Sequence, residues 1–391
     1  MSTSSRTASA AAFSVRDPLP PAVGWVGLAA VWLVSPLLDT WAVGTLGGLA
    51  CIAAIIVFCS AGVVRQAEAL ARRLGDPLGT LVLTLSVVCI EVALIAAVML
   101  GPGDHATVAR DSVMAVSMII LNLVIGLALV IGGVRHGPLL PHRAGVAGYL
   151  VMLVVLAFTT FALPALIGTD GVFPPVAAAI VAVATACLYA LFLALQTGRR
   201  AGDFREVEPL ALELTAPARP ATPAGPAAEA QPGAGPGTAA DRREPLLRLG
   251  LLVATLVPIV LLAHRMAPLL DTTLDRLGAP AALSGLLIAV IVFLPESITT
   301  LRAARNAEIQ RVSNLCHGAL VSTLGLTVPV VLAIGILSHQ RVVLAAAPVD
   351  LLLLGVTLVL AASSLAQRRV GALHGAAHLV LFVLYAIALV A

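Results

Sequence analysis

Eleven stretches of mostly apolar residues follow one another along this chain, and each is a candidate for a membrane-spanning helix, although the first is short. A spanning helix needs about 20 such residues, because the hydrocarbon core of a bilayer is about 30 Å thick. Hydrophobic residues make up 60% of the 391 positions and charged residues only 11%. Since a soluble protein of this size cannot bury that much apolar surface, the sequence predicts an all-α polytopic membrane protein. The predicted transmembrane helices are residues 22–38, 41–64, 78–101, 111–134, 145–168, 174–196, 247–267, 279–301, 311–337, 343–364 and 370–391.

A segment rich in proline, alanine and glycine, residues 197–246, interrupts this series after the sixth apolar stretch. Its composition is typical of a flexible linker, because it cannot bury a core. We therefore divide the chain into an N-terminal tail with one extra helix at 1–40, a first five-helix repeat at 41–196, this linker, and a second five-helix repeat at 247–391.

The 23 basic residues are all arginines, and they are distributed unevenly between alternate loops. Only Arg110, Arg265, Arg276 and Arg341 fall in one set of loops or at the helix ends beside them, whereas the others lie on the opposite side or in the linker. Because cytoplasmic loops carry the excess of positive charge, we predict that the N-terminus and the linker are cytoplasmic and the C-terminus is outside. These arginines flank a bilayer, so the net charge of +3 does not predict a nucleic-acid partner.

The odd number of helices in each repeat has a consequence for symmetry. The second block of five must enter the membrane from the side opposite to the first, so the two blocks are predicted to be inverted repeats. Secondary transporters often have this plan, with the binding site at the interface of the repeats near the bilayer midplane.

Two glutamates, Glu91 and Glu296, lie in the middle of apolar stretches, each in the second helix of its block. A charged side chain at the bilayer centre costs at least about 2.5–3.5 kcal/mol, so such residues usually serve ion or proton transport. The alternative is a permanently protonated structural carboxyl group that bonds to a neighbouring helix. We predict that both glutamates bind a metal cation and protons at one shared site.

Further oxygen atoms are predicted beside the two carboxylates. Thr84 falls on the same helix face as Glu91 by the 3.6-residue period. Pro295 frees the carbonyl group of Ile291, four residues earlier, from its helical hydrogen bond. Hard cations such as Ca²⁺ bind about six to eight oxygens from carboxylates, carbonyls and water, so both groups are candidate ligands.

The helix that follows each glutamate contributes other candidates. Asn122 lies in the middle of this helix in the first block, and Ser322 and Thr323 lie in the middle of its counterpart in the second. An amide or hydroxyl oxygen there would complete a coordination shell. Polar side chains in membrane helices also bond to their own backbone or to a neighbouring helix, so this structural alternative stays open.

Two histidines of the last helix, His374 and His378, have the i,i+4 spacing that places two side chains on one helix face. This spacing would allow a metal ion to bind. Their position at the start of that helix favours instead a histidine pair at the cytoplasmic interface.

Two segments resemble the α-repeats of the calcium/cation antiporter superfamily, most closely its bacterial calcium/proton exchanger branch, the ChaA type. The first segment is Leu74–Leu100, LGDPLGTLVLTLSVVCIEVALIAAVML, and the second is Leu286–Gly335, with LLIAVIVFLPES, RAARNAEIQRVSNL and GALVSTLGLTVPVV. The resemblance implies one extra helix followed by five plus five, with Glu91 and Glu296 as the essential acids. It also implies polar site positions at Asn122 and near Ser322.

The chain departs from the pattern of the vacuolar exchangers, which carry an asparagine three residues before each glutamate. Val88 and Phe293 occupy those positions here. The central linker also lacks the abundance of acidic residues found in many relatives. Both departures leave the identity of the cation open between Ca²⁺, Na⁺ and K⁺.

Together these features predict a secondary active cation/proton antiporter of the inner membrane. It would export Ca²⁺ from the cytoplasm in exchange for H⁺, with the two glutamates alternately binding cation and protons during alternating access. A Na⁺(K⁺)/H⁺ antiporter on the same scaffold is the alternative. A cation channel is a further one, although acidic rings in channels usually arise from oligomeric symmetry.

The remaining function classes receive no support from the sequence. No H-E-x-x-H or G-x-x-x-x-G-K-[ST] motif occurs, so we expect neither a metalloprotease nor an ATP-driven pump, and no enzyme activity. No cofactor is expected, because the cations and protons are the transported substrates. The expected surroundings are the lipid bilayer, and the oligomeric state is left open.

Overall fold

The computed structural model describes residues 17–38, 42–74, 78–101, 105–204, 239–278, 280, 282–367 and 369–390. Almost all of these residues are helical, and the described β-structure consists of two isolated bridges, Leu139–Val370 and Thr169–Val172. The predicted all-α polytopic class is thereby confirmed. Our expectations for the N-terminal tail before residue 17 and for linker residues 205–238 lie outside the described residues.

Fourteen α-helices run through the described part of the chain, and three π-helical segments each join two of them. The α-helices are α1 Leu19–Leu38, α2 Ala42–Leu74, α3 Leu78–Met99, α4 Val108–Met118, α5 Ile125–His136, α6 Arg143–Ala157, α7 Leu163–Ile167, α8 Pro175–Thr197, α9 Ala239–Leu277, α10 Ala282–Arg305, α11 Ile309–Ser322, α12 Val328–Ser338, α13 Pro348–Ala366 and α14 Ala372–Val390. The π-helical segments are π1 Ile119–Val124 between α4 and α5, π2 Phe158–Ala162 between α6 and α7, and π3 Thr323–Thr327 between α11 and α12.

Each of the eleven predicted spans overlaps at least one of these helices. By length and apolar composition, 7 helices within the described residues are able to cross a membrane, or up to 8 if each bent pair is one span. Shorter apolar helices lie at Leu19–Val34, Val88–Met99 and Pro348–Ser364. The exact number of crossings therefore stays a prediction.

Helix α10 is bent by 60° between its limbs Leu283–Ile291 and Glu296–Arg305. Pro295 falls in the break between them. Proline has no amide hydrogen and its ring clashes with the carbonyl group four residues back, so sharp kinks are usual at this residue. The bend places Glu296 at the first position of the second limb.

Several loops meet at one end of the bundle. Leu139 and Val370 exchange two backbone hydrogen bonds of 2.7 and 3.0 Å. His136 Nε2 donates to the carbonyl oxygen of Arg305, at 2.9 Å. These contacts join three loops that the arginine pattern predicts to be cytoplasmic.

Another set of loops meets at the opposite end of the bundle. The amide of Val343 donates to the Ala106 carbonyl at 2.8 Å, and the amide of Leu344 donates to the Gly171 carbonyl at 3.1 Å. All three loops are predicted to lie outside. The grouping of loops therefore agrees with the predicted alternation, while the absolute orientation of the termini stays a prediction.

Helices of the two halves pack against each other reciprocally. Helix α2 runs along α9, α3 packs against α11 and π3, and α10 packs against α4 and π1. In the same way α8 packs on α12, and α14 packs on α5. This exchange of equivalent contacts is consistent with two repeats about a two-fold axis, and the division into repeats stays a prediction.

The close approach of α10 to α4 requires a glycine. A Cβ atom at Gly285 would lie 2.7 Å from the carbonyl carbon of Asp111 and 2.7 Å from the amide nitrogen of Ser112. Because both atoms belong to the backbone, they cannot rotate away as a flexible side chain would. Small residues at helix crossings allow such close packing in membranes.

Candidate cation and proton site

Glu91 is held across the interface between the two halves of the chain. It lies in α3 and is only 1% exposed. Its carboxyl oxygen Oε2 accepts a hydrogen bond of 2.5 Å from the hydroxyl group of Thr323, which lies in π3. The other oxygen, Oε1, is buried and has no hydrogen-bond partner within the described structure.

Glu296 follows the bend of α10 and is 8% exposed. Its oxygen Oε2 is also buried and has no partner among the described residues. Helix α3, which carries Glu91, and helix α10, which carries Glu296, both pack against α11. The structure thus provides one buried carboxyl group with an unpartnered oxygen from each half of the chain.

These unpartnered oxygens cost free energy unless something binds them. A buried polar atom without a hydrogen bond costs about 1–3 kcal/mol, and a charged one costs more. A cation satisfies the oxygens of two carboxylates, and protons neutralise the same groups. The arrangement is therefore suited to hold either species, but it is poorly suited to stand as two bare charges.

Asn122, predicted as a cation ligand, engages both ends of its amide with other side chains. It lies fully buried in π1. Its Nδ2 donates to Thr357 Oγ1 at 2.9 Å, and its Oδ1 lies 3.2 Å from His378 Nδ1. Since Nδ2 is the donor of the amide, Oδ1 accepts from the His378 ring. Direct cation binding by Asn122 stays a prediction.

Ser322 and Thr323 point to different neighbours although they are adjacent in the chain. The Ser322 hydroxyl donates to the Gly318 carbonyl at 2.8 Å and accepts a hydrogen bond from the Tyr189 hydroxyl at 3.0 Å. Only Thr323 contacts a carboxyl group, that of Glu91. Ser322 thus makes the contacts with its own backbone and with a neighbouring helix that serine usually makes in membrane helices.

Two other predicted ligands are placed by the structure only in part. The side chain of Thr84 lies outside the described residues. Ile291 is the last residue of the first limb of α10, directly before the bend. Ile291 was predicted because Pro295 frees its carbonyl group, and its position beside the bend agrees with this reason. Coordination of a cation by the carbonyl oxygen stays a prediction.

Two further buried hydroxyl groups were not among the predicted ligands. Thr327 lies in π3, four residues after Thr323, and Ser112 lies in α4 opposite Gly285. Neither hydroxyl has a hydrogen-bond partner within the described residues. The four-residue spacing from Thr323 is the signal that would have identified Thr327, because such residues share a helix face.

The histidines differ from the expected interfacial pair. His378 is only 2% exposed and contacts Asn122, whereas His374 accepts a hydrogen bond from the Gly371 amide at 3.3 Å. The expectation was wrong because His378 lies almost two turns inside α14, where the neighbouring helices cover it. Within the described residues, no group of three or more His, Cys, Asp or Glu side chains is able to hold a metal ion.

A cation bound at this site would therefore be held by two carboxylates together with neutral oxygens. Hydroxyl, carbonyl and water oxygens are the remaining ligands of the kind that hard cations accept. A helical membrane bundle with one such carboxyl group from each half is typical of a secondary cation transporter. The family described as sodium/calcium exchanger protein matches residues 44–198 and 247–391, and the chain belongs to this family.

Individual relatives agree with this assignment. The chain is 35% identical to "Putative ionic transporter y4hA" of Sinorhizobium fredii over 82% of this chain and 83% of the relative. It is 32% identical to "Sodium-potassium/proton antiporter ChaA" of Escherichia coli over 83% of each chain. The crystal structure of the H⁺/Ca²⁺ exchanger CAX has a similar fold, with a TM-score of 0.65 and 15% identity, covering 95% of this chain and 89% of that chain.

Membership in this family confirms several predictions. The protein is a transmembrane cation antiporter of the calcium/cation antiporter superfamily and is not an enzyme. The ions that it carries are its substrates, and the family needs no cofactor.

Proposed function

We propose that this protein exports Ca²⁺ from the cytoplasm in exchange for H⁺, with Glu91 and Glu296 alternately binding the cation and protons. The observation that carries the proposal is the pair of buried carboxyl groups, one from each half, each with an oxygen that has no protein partner among the described residues. The packing of α3 and α10 against the same helix, α11, supports one shared site.

Charge balance in a low-dielectric site supports the divalent cation. Two carboxylates with one Ca²⁺ are neutral, and two carboxyl groups with two protons are neutral as well. Each state avoids the large cost of an uncompensated buried charge. The empty site with two bare carboxylates is the costly state, so one species leaves efficiently only when the other replaces it. This condition is what couples the two fluxes.

Alternating access would move this neutral site between the two faces of the membrane. The hydrogen bond from Thr323 to Glu91 ties α3 to the second half of the chain. The bend of α10 lets the limb that carries Glu296 change direction independently of Leu283–Ile291. These two features supply a contact that links the halves and a point about which one helix can move.

A second candidate function is Na⁺(K⁺)/H⁺ antiport. The 32% identity with a sodium-potassium/proton antiporter favours it. A monovalent cation on one carboxylate and a proton on the other would also be neutral, so the geometry is compatible with both candidates. The difference lies in the number of protons that each bound cation displaces.

Cation-dependent proton flux in everted membrane vesicles tests the proposal. The interior of vesicles from cells that express the protein is acidified, and Ca²⁺, Na⁺ and K⁺ are added separately while a fluorescent dye reports the pH gradient. The proposal expects Ca²⁺ to collapse the gradient at the lowest concentration. Collapse by Na⁺ or K⁺ alone would establish the second candidate, and no response to any cation would overturn both.

The location of the protein forms part of the proposal. We place it in the inner membrane, with the N-terminus and the linker in the cytoplasm and the C-terminus outside. The grouping of loops at the two ends of the bundle supports this alternation, and the arginine distribution supports its direction.

A further inference from the structure

A groove between α1 and α9 on the outside of the bundle combines two exposed tryptophans with one arginine. Its volume is about 740 Å³, which is within the range of about 300–1,000 Å³ that is usual for ligand pockets. It is lined by Trp25, Leu28, Trp32, Leu261, His264 and Arg265, among others. The groove lies away from Glu91 and Glu296, neither of which lines it.

Arg265 is the unusual residue of this groove. Its guanidinium group lies 5.7 Å from the centre of the Trp32 ring, in a cation–π contact. Within the described residues it forms no hydrogen bond and no ion pair. An arginine has five N–H donors, and leaving them without acceptors is costly where little water is present. A cation–π contact orients the group but accepts none of these hydrogen bonds.

The depth of Arg265 follows from its distance along α9. Arg248, on the same helix, binds Glu244 and Gln66 at the end of the bundle where the linker joins α9. Arg265 is 17 positions further on, which corresponds to about 26 Å at 1.5 Å per residue. Because the hydrocarbon core is about 30 Å thick, this distance would place Arg265 just inside the opposite interface if Arg248 marks the first one.

Trp32 supports the same depth, and the two tryptophans give the groove its shape. Trp32 is 67% exposed, and Trp25 is 47% exposed although its Nε1 donates to the Ala254 carbonyl. Tryptophan is enriched where an apolar chain region meets the headgroups of a bilayer. Below Arg265 the lining is apolar, so the groove offers a charged end near the interface and an apolar wall towards the membrane centre.

We propose that this groove binds a phospholipid with an anionic headgroup. The headgroup phosphate would accept hydrogen bonds from Arg265, since the planar guanidinium group matches phosphate geometry. One acyl chain would lie along Trp32, Leu28 and Trp25. The lipid would then join α1, the extra helix, to α9, and the inference does not depend on which cation the protein carries.

Lipid binding to the purified full-length protein in detergent tests the inference. Dioleoylphosphatidylglycerol and dioleoylphosphatidylcholine are titrated, and native mass spectrometry counts the bound lipids while thermal unfolding reports their effect. We expect one lipid site that prefers the anionic lipid about tenfold or more. Both headgroups carry a phosphate, but the choline cation of phosphatidylcholine cancels its charge and repels the guanidinium group of Arg265. Equal affinity for both lipids in the unaltered protein would overturn the inference without any variant.

Variants locate the site. Arg265→Gln should remove the preference for the anionic lipid, whereas Arg276→Gln should keep it, because Arg276 lies on the same helix and donates to Thr45 instead. Trp32→Leu should weaken both lipids. Retained preference in Arg265→Gln, or its loss in Arg276→Gln alone, would overturn the inference.

A titration with inorganic phosphate distinguishes a lipid headgroup from a free phosphate ion as the group that Arg265 binds. At millimolar concentration it should neither displace the anionic lipid nor raise the unfolding temperature, because it cannot fill the apolar part of the groove. Displacement of the lipid by phosphate alone would assign the site to a free anion and overturn the lipid proposal.

Discussion

Thr323 and Glu91 lie 232 positions apart in the chain, yet the threonine hydroxyl donates a hydrogen bond of 2.5 Å to the glutamate carboxyl group. The bond connects π3 of the second half with α3 of the first. It occupies one carboxyl oxygen and leaves the other without a partner in the described structure. Glu91 is thus oriented by the second half of the chain, while one of its carboxyl oxygens stays without a partner among the described residues.

Replacement of Thr323 by valine tests this orientation. The change keeps the shape of the side chain and removes its hydroxyl donor. A hydrogen bond to a charged group contributes about 1.5–3 kcal/mol, so the apparent affinity for the transported cation should fall about tenfold or more. The affinity is measured as the half-saturating cation concentration in everted vesicles.

Ser322→Ala is the matched control, because the neighbouring hydroxyl bonds to Gly318 and Tyr189 rather than to a carboxyl group. We expect its half-saturating concentration to change less than that of Thr323→Val. A larger effect of Ser322→Ala would show that the orientation of Glu91 by Thr323 has been misjudged.

Glu91→Gln and Glu296→Gln should each abolish cation-dependent proton flux while the protein remains folded. Glutamine keeps the size of the side chain, and its carbonyl oxygen still accepts the bond from Thr323, but it cannot carry a proton in exchange for a cation. Flux in vesicles and unfolding temperature in detergent are the two measurements. Normal coupled flux in either variant would refute the proposed role of that glutamate.

Gly285→Ala should destabilise the protein by about 1–3 kcal/mol, because the added methyl group meets backbone atoms of α4 that cannot move aside. The clash distances of 2.7 Å to Asp111 and Ser112 support this sign. Gly355→Ala in α13 is the control, since a Cβ atom there has nothing within 4 Å. This substitution should be neutral or stabilising by about 0.5–1 kcal/mol, because alanine is more favourable than glycine in the interior of a helix. An equal loss of thermal stability in both variants would contradict this account.

The helices and the two carboxylates could be predicted because their signals are local. Apolar stretches of sufficient length define helices, Pro295 explains the bend of α10, and Glu91 and Glu296 stand out as acids in apolar surroundings. The partners of polar side chains could not be predicted in the same way. Ser322 and Thr323 are adjacent, so they point about 100° apart on a helix, and only the packing of α3 and α8 decides which one meets Glu91.

The burial of His378 illustrates the same limit. Its place in the sequence is near a helix start, which indicates an interface, but the reciprocal packing of α14 on α5 and π1 covers it. Likewise the π-helical segments contain no sequence signal that we recognised, although π1 and π3 hold Asn122 and Thr323. Such segments occur frequently at functional sites, because they change the direction of single side chains within a helix.

The predicted topology places Ala391 outside and residues near Ala230 in the cytoplasm. Reporter fusions at these two positions, one active only in the cytoplasm and one active only outside, measure each location directly. Opposite locations are expected. If both positions lie on the same side, the second block cannot contain an odd number of crossings, and the inverted repeat would be lost.

Competition between protons and the cation should appear as a pH dependence of cation affinity. Since metal binding at a carboxylate requires the deprotonated form, lowering the pH must weaken cation binding, and raising it must strengthen binding until protons no longer compete. If one Ca²⁺ displaces the protons of both Glu91 and Glu296, its dissociation constant should change by about two powers of ten per pH unit in the competing range, whereas a monovalent cation that displaces one proton should show about one. Calorimetric titration of the purified protein at several pH values measures this slope, and Glu296→Gln should reduce it by about one proton because a single competing carboxyl group remains. A dissociation constant that does not change with pH would rule out direct competition, even if both glutamates are needed for transport.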